Sequence, residues 1–455
     1  MSRAESPRHR GWLMAQARTA MLRLSALVGE RTLFENDAFR RLWLSKLLSH
    51  IPVNAMVYAM LIMVVRATGR SFFSSLFVVA YIAPTALLGT VSGVLVDRMP
   101  KGLVLAGANA ARAALCVLLA LSADSVIAIY LIAVLFAVAS QVAGPAEGAA
   151  LPAIVEPEQF TSANSLNNLG SLISQIAGLM VLAPVFLKTV GPEPLALIAA
   201  IMFAAAAFNF LLIDGLGGPV SELPASIHES RERFAEAWHR LSMDSVSYVS
   251  LVLVVVANTT GLVVMTLVPR FCGRVLGVDS ENAVFVAAPA ALGIWLALRF
   301  VRRMSSRLSP WISMGGSFSA LAGGVALLAF VAPLGDTLRA ANPLGIFDPG
   351  PFGEGTARII ITAILGAGLA FAFTFVNIVG RTIVNERMPR EMQGRVFAGQ
   401  TVLTNLASIP PILLTGILAD VIGIAPVFFL VAAAGALLAA FYTARNLAMP
   451  VRTAY

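Results

Sequence analysis

The chain has 455 residues, of which 58% are hydrophobic and only 12% are charged. Soluble domains are near a quarter charged, so these charges could not cover the surfaces of two or three soluble domains. The mean hydropathy of +0.83 therefore predicts a polytopic α-helical membrane protein. The net charge of +8 is spread between hydrophobic runs and not gathered into one patch, which argues against nucleic-acid binding.

Twelve runs of mainly apolar residues are long enough to cross a bilayer, which takes about 20 residues per helix. The predicted spans are 41–65, 73–96, 102–122, 125–147, 163–187, 194–214, 246–269, 282–302, 310–332, 357–381, 396–421 and 425–444.

Most Lys and Arg residues lie in the N-terminal segment and in the loops on its side of the membrane. The positive-inside rule therefore places both termini in the cytoplasm, for a multi-pass protein of the cell inner membrane. The predicted organisation is a cytoplasmic basic amphipathic segment (1–40), a six-helix bundle (41–214), a cytoplasmic linker with an interfacial helix (215–244), a second six-helix bundle (245–445) and a cytoplasmic tail (446–455). A disordered tail remains the alternative for the first segment.

Three short stretches carry a family resemblance. Residues 93–101, Gly-Val-Leu-Val-Asp-Arg-Met-Pro-Lys, resemble the signature loop between helices 2 and 3 of the major facilitator superfamily. Residues 144–155 and 384–397 resemble its drug-antiporter branch, which includes macrolide exporters, the enterobactin exporter and the lysophospholipid transporter. The resemblance, over roughly residues 38–445, implies twelve transmembrane helices in two pseudo-symmetric six-helix bundles around a central cavity.

The resemblance also implies a gate at the cytoplasmic helix ends. The predicted gating loop contains Gly93, Asp97, Arg98 and Lys101. Its candidate partners are Glu147, Glu386, Arg387 and Arg395. Asp97 is expected to latch the two halves when the protein faces outward. The alternatives are that the loop only anchors the topology and that its partners are solvated loop charges.

The first predicted span carries polar residues on one face. Lys46, His50 and Asn54 recur at intervals of four residues. Ionisable groups inside a bilayer usually face a cavity, and imidazole titrates near neutral pH. His50 is thus a candidate protonatable cavity residue, with a packing histidine as the alternative. The candidate substrate-cavity and coupling residues are Lys46, His50, Asn54, Arg112, Gln141, Asn258 and Asn377.

No acidic residue falls near the middle of a predicted span, and Glu147 closes the fourth. Exchange of cations for protons generally needs a carboxylate at that depth. The sequence therefore favours a neutral, zwitterionic or anionic amphiphile over a cationic drug.

Other function classes lack their motifs. The chain has no Gly-Lys pair, so it has no phosphate-binding loop and cannot be a self-contained ATP-driven pump. Its four His residues form no HExxH motif, so no enzymatic or metal site is predicted and no cofactor is expected.

The predicted function is secondary active transport of a lipophilic or amphiphilic small molecule out of the cytoplasm, as in drug or siderophore efflux. Lysophospholipid transport or flipping is one alternative, and a non-transporting membrane sensor on the same fold is another. The expected partners are the small-molecule substrate and membrane lipids, with protons as a candidate coupling ion. A monomer is expected.

Overall fold

The computed structural model describes residues 31–97, 99–216, 235–236, 238–279, 283–305, 310–341 and 356–447. All regular structure in these ranges is helical, which confirms the predicted all-α fold. Residues 1–30, most of the linker predicted at 215–244 and residues 448–455 lie outside the described ranges.

The first six predicted spans coincide with six helices, here called the N-half. They are α1 (Asp37–Thr68), α2 (Ser71–Asp97), α3 (Lys101–Leu121), α4 (Val126–Ile154), α5 (Phe160–Gln175, continued by Ile176–Leu182 and Ala183–Thr189) and α6 (Pro192–Leu211). A short helix, Arg31–Glu35, precedes α1. Asn36 caps α1, because its side chain accepts hydrogen bonds from the backbone N–H groups of Ala38 and Phe39.

The other six predicted spans form the C-half. They are α7 (Ser245–Phe271, continued by Cys272–Leu276), α8 (Ala283–Ala287 and Ala290–Ser305), α9 (Pro310–Leu328), α10 (Thr356–Arg387), α11 (Arg390–Val421) and α12 (Ile424–Leu447). After α9 the chain bends by 66° into a further helix, Val331–Ala340.

The length and composition of these helices suit a membrane. Within the described residues, nine helices are long and apolar enough to cross a bilayer, and the bent pair at α9 supplies a tenth. Shorter apolar helices, Ser71–Thr85 and Ala290–Val301, lie within α2 and α8. The structure is therefore that of a multi-pass membrane protein.

Helix pairings in the N-half recur six helices later in the C-half. Helix α3 packs along α6 as α9 packs along α12, and α2 packs along α4 as α8 packs along α10. Likewise, α1 contacts α5 as α7 contacts α11. The two halves thus share one internal arrangement, as the family resemblance implied.

The two halves meet chiefly at one end of the bundle. We call the end where α1 begins and α12 ends the terminal end, and the opposite one the distal end. Near the distal end, Gly416 of α11 lies directly against Ser75 and Phe72 of α2. An apolar cluster there joins Ile82 of α2 to Ile412 of α11.

Among the side chains that the structure describes, the apolar clusters at the terminal end each stay within one half. The apolar cluster around Leu105 contains only residues of the N-half and its flanking segments. The cluster around Val384 contains only residues of the C-half and the described part of the linker. The structure therefore holds its halves together distally.

Helix α5 approaches α1 closely through a glycine. Gly178 lies in the π-helical stretch Ile176–Leu182. A Cβ atom at Gly178 would collide with the Ile51 carbonyl oxygen and would lie 3.0 Å from Asn54 Cβ. Backbone atoms cannot move aside as a flexible side chain can, so this contact requires glycine.

Replacing Gly178 with Ala should therefore destabilise the N-half by about 1–3 kcal/mol through overpacking. The measurement is thermal unfolding of the purified protein in detergent. Gly107→Ala is the matched control, because Gly107 also lies in an N-half helix and a Cβ there meets nothing within 4 Å. Equal melting temperatures for the two variants would contradict the packing argument.

Candidate functional site

Four charged or titratable side chains meet inside the N-half, and we call them the N-half charge cluster. They are Lys46 and His50 of α1, Arg112 of α3 and Glu147 of α4. His50 Nε2 lies 2.8 Å from Glu147 Oε2. Lys46 and Arg112 also lie close enough to Glu147 for electrostatic interaction. Three predicted cavity candidates thus surround one carboxylate.

Glu147 lies deeper than the sequence suggested. The fourth span was predicted to end at Glu147, but α4 continues to Ile154 because the residues that follow are small or apolar. Its partner His50 lies near the middle of α1. The expectation that Glu147 sits at a helix end, with no carboxylate at the depth of His50, is therefore wrong.

The remaining polar groups of α1 bond within the N-half. Lys46 Nζ donates a hydrogen bond to Asn167 Oδ1 of α5 at 2.7 Å. Asn54 Nδ2 donates to the His50 carbonyl oxygen of its own helix at 2.8 Å. These side chains tie α1 to α5 and stabilise the helix around His50.

Arg112 is a core residue of the N-half. It is only 4% exposed, and its guanidinium carbon lies 5.8 Å from the ring centroids of both Phe136 and Phe203. Its Nη1 donates to Ser49 Oγ at 3.1 Å. Cation–π attraction and one hydrogen bond to α1 therefore hold the charge between helices.

A cavity of ≈ 550 Å³ lies in the C-half. Its volume falls within the range of about 300–1,000 Å³ that is usual for small-molecule sites. Helices α7 to α12 all contribute to its lining, which is mainly apolar. We call it the C-half cavity.

Two of the seven predicted cavity residues line the C-half cavity. Asn258 Nδ2 of α7 donates to Asn377 Oδ1 of α10 at 3.2 Å, and both residues belong to the lining. The predicted residues that do not line this cavity are Lys46, His50, Asn54, Arg112 and Gln141. Gln141 Nε2 instead donates to Thr85 Oγ1 at 2.5 Å, which joins α4 to α2.

The predicted gating loop is only partly described. Gly93 and Asp97 lie in the last turns of α2, while the side chain of Asp97 and all of Arg98 fall outside the described atoms. Lys101 Nζ donates to the Val96 carbonyl oxygen at 2.7 Å, which satisfies the end of α2.

The candidate partner Arg387 pairs within its own half. Arg387 Nε lies 2.9 Å from Asp244 Oδ2, and Arg387 Nη2 lies 3.2 Å from Asp244 Oδ1. Burial alone would raise the pKa of Asp244, but hydrogen bonds from Arg387 and Ser247 outweigh it and hold that pKa below its ordinary value. The other two candidates at this end, Glu386 and Arg395, are exposed and half-buried, respectively.

A charged contact between the halves lies at the distal end, which the sequence reasoning did not single out. Asp420 of α11 accepts hydrogen bonds from the backbone N–H groups of Ser71 (2.7 Å) and Phe72 (3.0 Å), at the start of α2. Arg270 Nη1 of α7 lies 2.5 Å from Asp420 Oδ1 and 3.0 Å from Ser71 Oγ. We call these four residues the distal junction.

The distal junction supplies the hydrogen-bond donors and the positive charge that a buried carboxylate needs. The Asp420 and Arg270 side chains are 10% and 8% exposed. The start of a helix carries unpaired N–H groups and a partial positive charge, so α2 favours a carboxylate there. The one available sequence signal is the presence of Arg66, Arg70 and Arg270 near helix ends on the side that carries few basic residues.

The chain matches one known family over most of its length. The family described as Major Facilitator Superfamily matches residues 42–409, most of the chain. The chain belongs to the Major Facilitator Superfamily. A search of curated proteins finds no significant match.

Solved transporters of this superfamily type share the fold. A mutant of the nucleoside transporter NupG superposes with a TM-score of 0.70 at 14% identity, covering 90% of this chain and 99% of that one. The POT family transporter PepTSo gives 0.68 at 12% identity, with coverage of 90% and 98%.

A bacterial homologue of the human lysosomal transporter Spinster, in an inward-facing and occupied conformation, gives a TM-score of 0.67 at 13% identity, with coverage of 91% and 97%. Such low identities establish the fold alone. Superfamily membership and these neighbours together point to a transporter and not to an enzyme.

Replacing Asp420 with Asn should open the distal end. The amide keeps the shape of the carboxylate but loses its charge-assisted hydrogen bonds, so the open population should rise roughly tenfold. Pulsed electron paramagnetic resonance would measure the distance between spin labels at Val190→Cys and Ala341→Cys, with Cys116 and Cys272 replaced by Ser.

The matched control is Asp336→Asn. Asp336 pairs with Arg358 at 2.7 Å, also at the distal end but within the C-half. The control should leave the distance distribution unchanged. Identical distributions for the Asp420 variant and the parent protein would show that the distal junction does not hold the halves together.

Proposed function

We propose that the protein is a secondary active transporter that moves a lipophilic or amphiphilic small molecule out of the cytoplasm by alternating access. The observation that carries this proposal is the C-half cavity, a ligand-sized and mainly apolar space within a two-half transporter fold. The resemblance of residues 384–397 to the drug-antiporter branch supports efflux as the direction.

The packing of the two halves supports a rocking cycle. In the observed arrangement the distal junction joins α2, α7 and α11, while the terminal-end clusters stay within single halves. Substrate would reach the cavity from the terminal end, and parting of the distal junction would release it on the other side. The positive-inside bias makes the terminal end cytoplasmic, in the inner membrane.

The His50–Glu147 pair is our candidate for proton coupling. Imidazole is a proton-exchanging group, so transfer of a proton to or from His50 would change the charge of the pair. His50 Nε2 lies 2.8 Å from Glu147 Oε2, and Lys46 and Arg112 lie near the same carboxylate. A change in the charge of His50 therefore alters the balance of charge inside the N-half. A buried charge imbalance is costly, so each protonation state would favour a different arrangement of the halves.

Transport in proteoliposomes tests the proposal directly. A fluorescent lipophilic drug is loaded with and without an imposed pH gradient. The parent protein should move the drug faster with the gradient. Glu147→Gln and His50→Ala should lose this stimulation, because neither retains the titratable pair, while keeping exchange of drug down its own gradient.

His239→Ala is the matched control, since His239 is exposed near the linker and should leave coupling intact. Gradient-stimulated transport that persists in both cluster variants would refute the coupling role. Failure to move any amphiphile would refute the transport proposal and favour a membrane sensor on the same fold.

Lysophospholipid transport is the second candidate. The C-half cavity combines amide and hydroxyl groups with a long apolar wall, as a single-chain lipid would require. A labelled lysophospholipid in the same vesicles separates the two candidates, because lipid movement without drug movement would favour the lipid transporter.

A further inference from the structure

The described lining of the C-half cavity carries a positive charge without a matching negative charge. Among the residues that line it in the described part of the chain, Arg381 of α10 is the one charged residue, and no carboxylate is present. A cationic ligand would meet a fixed positive charge with no compensating acid. An anionic ligand would find a positive counter-charge there.

Arg381 is available to a ligand. It forms no ion pair with a residue that the structure describes. Its guanidinium carbon lies 5.4 Å from the centroid of the Phe397 ring of α11. This cation–π contact fixes the direction of the side chain while leaving its hydrogen-bond donors for another group. The tenth span was predicted to end at Arg381, but α10 runs on to Arg387, so the charge lies inside the helix.

Polar groups accompany Arg381 on the facing helix. Gln400 and Thr404 lie one turn apart on α11, and both line the cavity. Thr404 is only 8% exposed, yet its hydroxyl has no hydrogen-bond partner. An unsatisfied buried hydroxyl costs about 1–3 kcal/mol. Rotation of this hydroxyl toward a polar atom of a ligand in the cavity would remove that cost.

The opposite part of the cavity is mainly apolar, and the hydroxyl of Thr362 there already donates to the Arg358 carbonyl oxygen of its own helix. Helix α7 runs from the terminal to the distal end, so Val268 and Phe271 lie near its distal end. Leu328 ends α9 on the same side, and Phe428 lies near the start of α12 there. The cavity is thus polar toward the terminal end and apolar toward the distal end.

We propose that the C-half cavity selects amphiphiles that carry a single anionic group, with that group at Arg381 and the apolar body pointing to the distal end. This inference rests on the proposed transport function and names its substrate class. A carboxylate and a phosphate monoester share the required chemistry, since a guanidinium binds either through paired hydrogen bonds. Thr404 would donate to a polar atom of the ligand nearer the distal end.

Equilibrium binding to the full-length protein in phosphatidylcholine nanodiscs tests the charge preference. The probes are dansyl-aminoundecanoic acid, its neutral primary amide and the corresponding cationic amine, which share one apolar body. Signals from empty nanodiscs are subtracted. The parent protein should bind the anion about tenfold or more tightly than the cation, with the amide between them.

Four variants locate the preference. Arg381→Gln should weaken anion binding about tenfold and leave amide binding nearly unchanged, whereas Arg381→Lys should keep most of the preference. Thr404→Val should weaken both the anion and the amide. Arg299→Gln removes a charge from an exposed position on α8 outside the cavity lining and should change neither affinity.

Competition for the bound probe then shows whether the anionic group belongs to a free carboxylic acid or to a lipid headgroup. Laurate displacing the probe would indicate a free carboxylic acid, and lysophosphatidic acid displacing it would indicate a lipid headgroup. Equal binding of the three probes by the parent protein, or equal effects of the Arg381 and Arg299 variants, would overturn the inference. If either result were obtained while vesicles still moved a neutral drug, the proposed preference for anionic substrates would be wrong and the transport proposal would stand.

Discussion

The carboxylate of Asp420 is held by groups from both halves of the molecule. Two backbone N–H groups at the start of α2 and the guanidinium of Arg270 replace its lost hydration. None of these partners alone would compensate a carboxylate whose side chain is only 10% exposed. The carboxylate is therefore satisfied in its buried state only while α2, α7 and α11 stay packed.

This dependence makes the distal junction a two-state element. When the halves part, Asp420, Arg270 and the α2 amides would all regain water, which offsets much of the lost attraction. Gly416 gives the same contact its close approach, because the backbone of α11 can lie against Ser75 only without a side chain. A small-residue contact beside a charged one can therefore hold the distal end shut without making it permanent.

The two halves carry different chemistry despite their shared packing. The N-half concentrates its titratable groups around Glu147, with Arg112 enclosed by aromatic rings. The C-half holds the cavity, whose lining, in the part of the chain that the structure describes, has one charge and a graded polarity. Such a division would let the N-half respond to protons while the C-half binds the substrate, with the distal junction as the mechanical link between them.

The helices, their number and their pairing into halves could be predicted, because long apolar runs have few alternatives in a membrane chain. The site residues are harder to predict, because the predicted spans end at charged residues. Glu147 and Arg381 were both set at span ends, yet α4 and α10 extend beyond them and carry these charges inside. Asp420 lies near the end of α11, but its partners lie 150 and about 350 residues away in sequence. No local pattern indicates such pairing.

One measurement tests the central claim, that the C-half cavity opens to the terminal end while the distal junction is closed. Thr401 lines the cavity and is exposed, so Thr401→Cys in a background without Cys116 and Cys272 reports on access. A membrane-impermeant thiol reagent is added from either side of vesicles, whose orientation a C-terminal tag defines. If the cavity opens to the terminal end, the reagent should label the cysteine at position 401 rapidly from the side of the tag and slowly from the other side. Faster labelling from the distal side would contradict it.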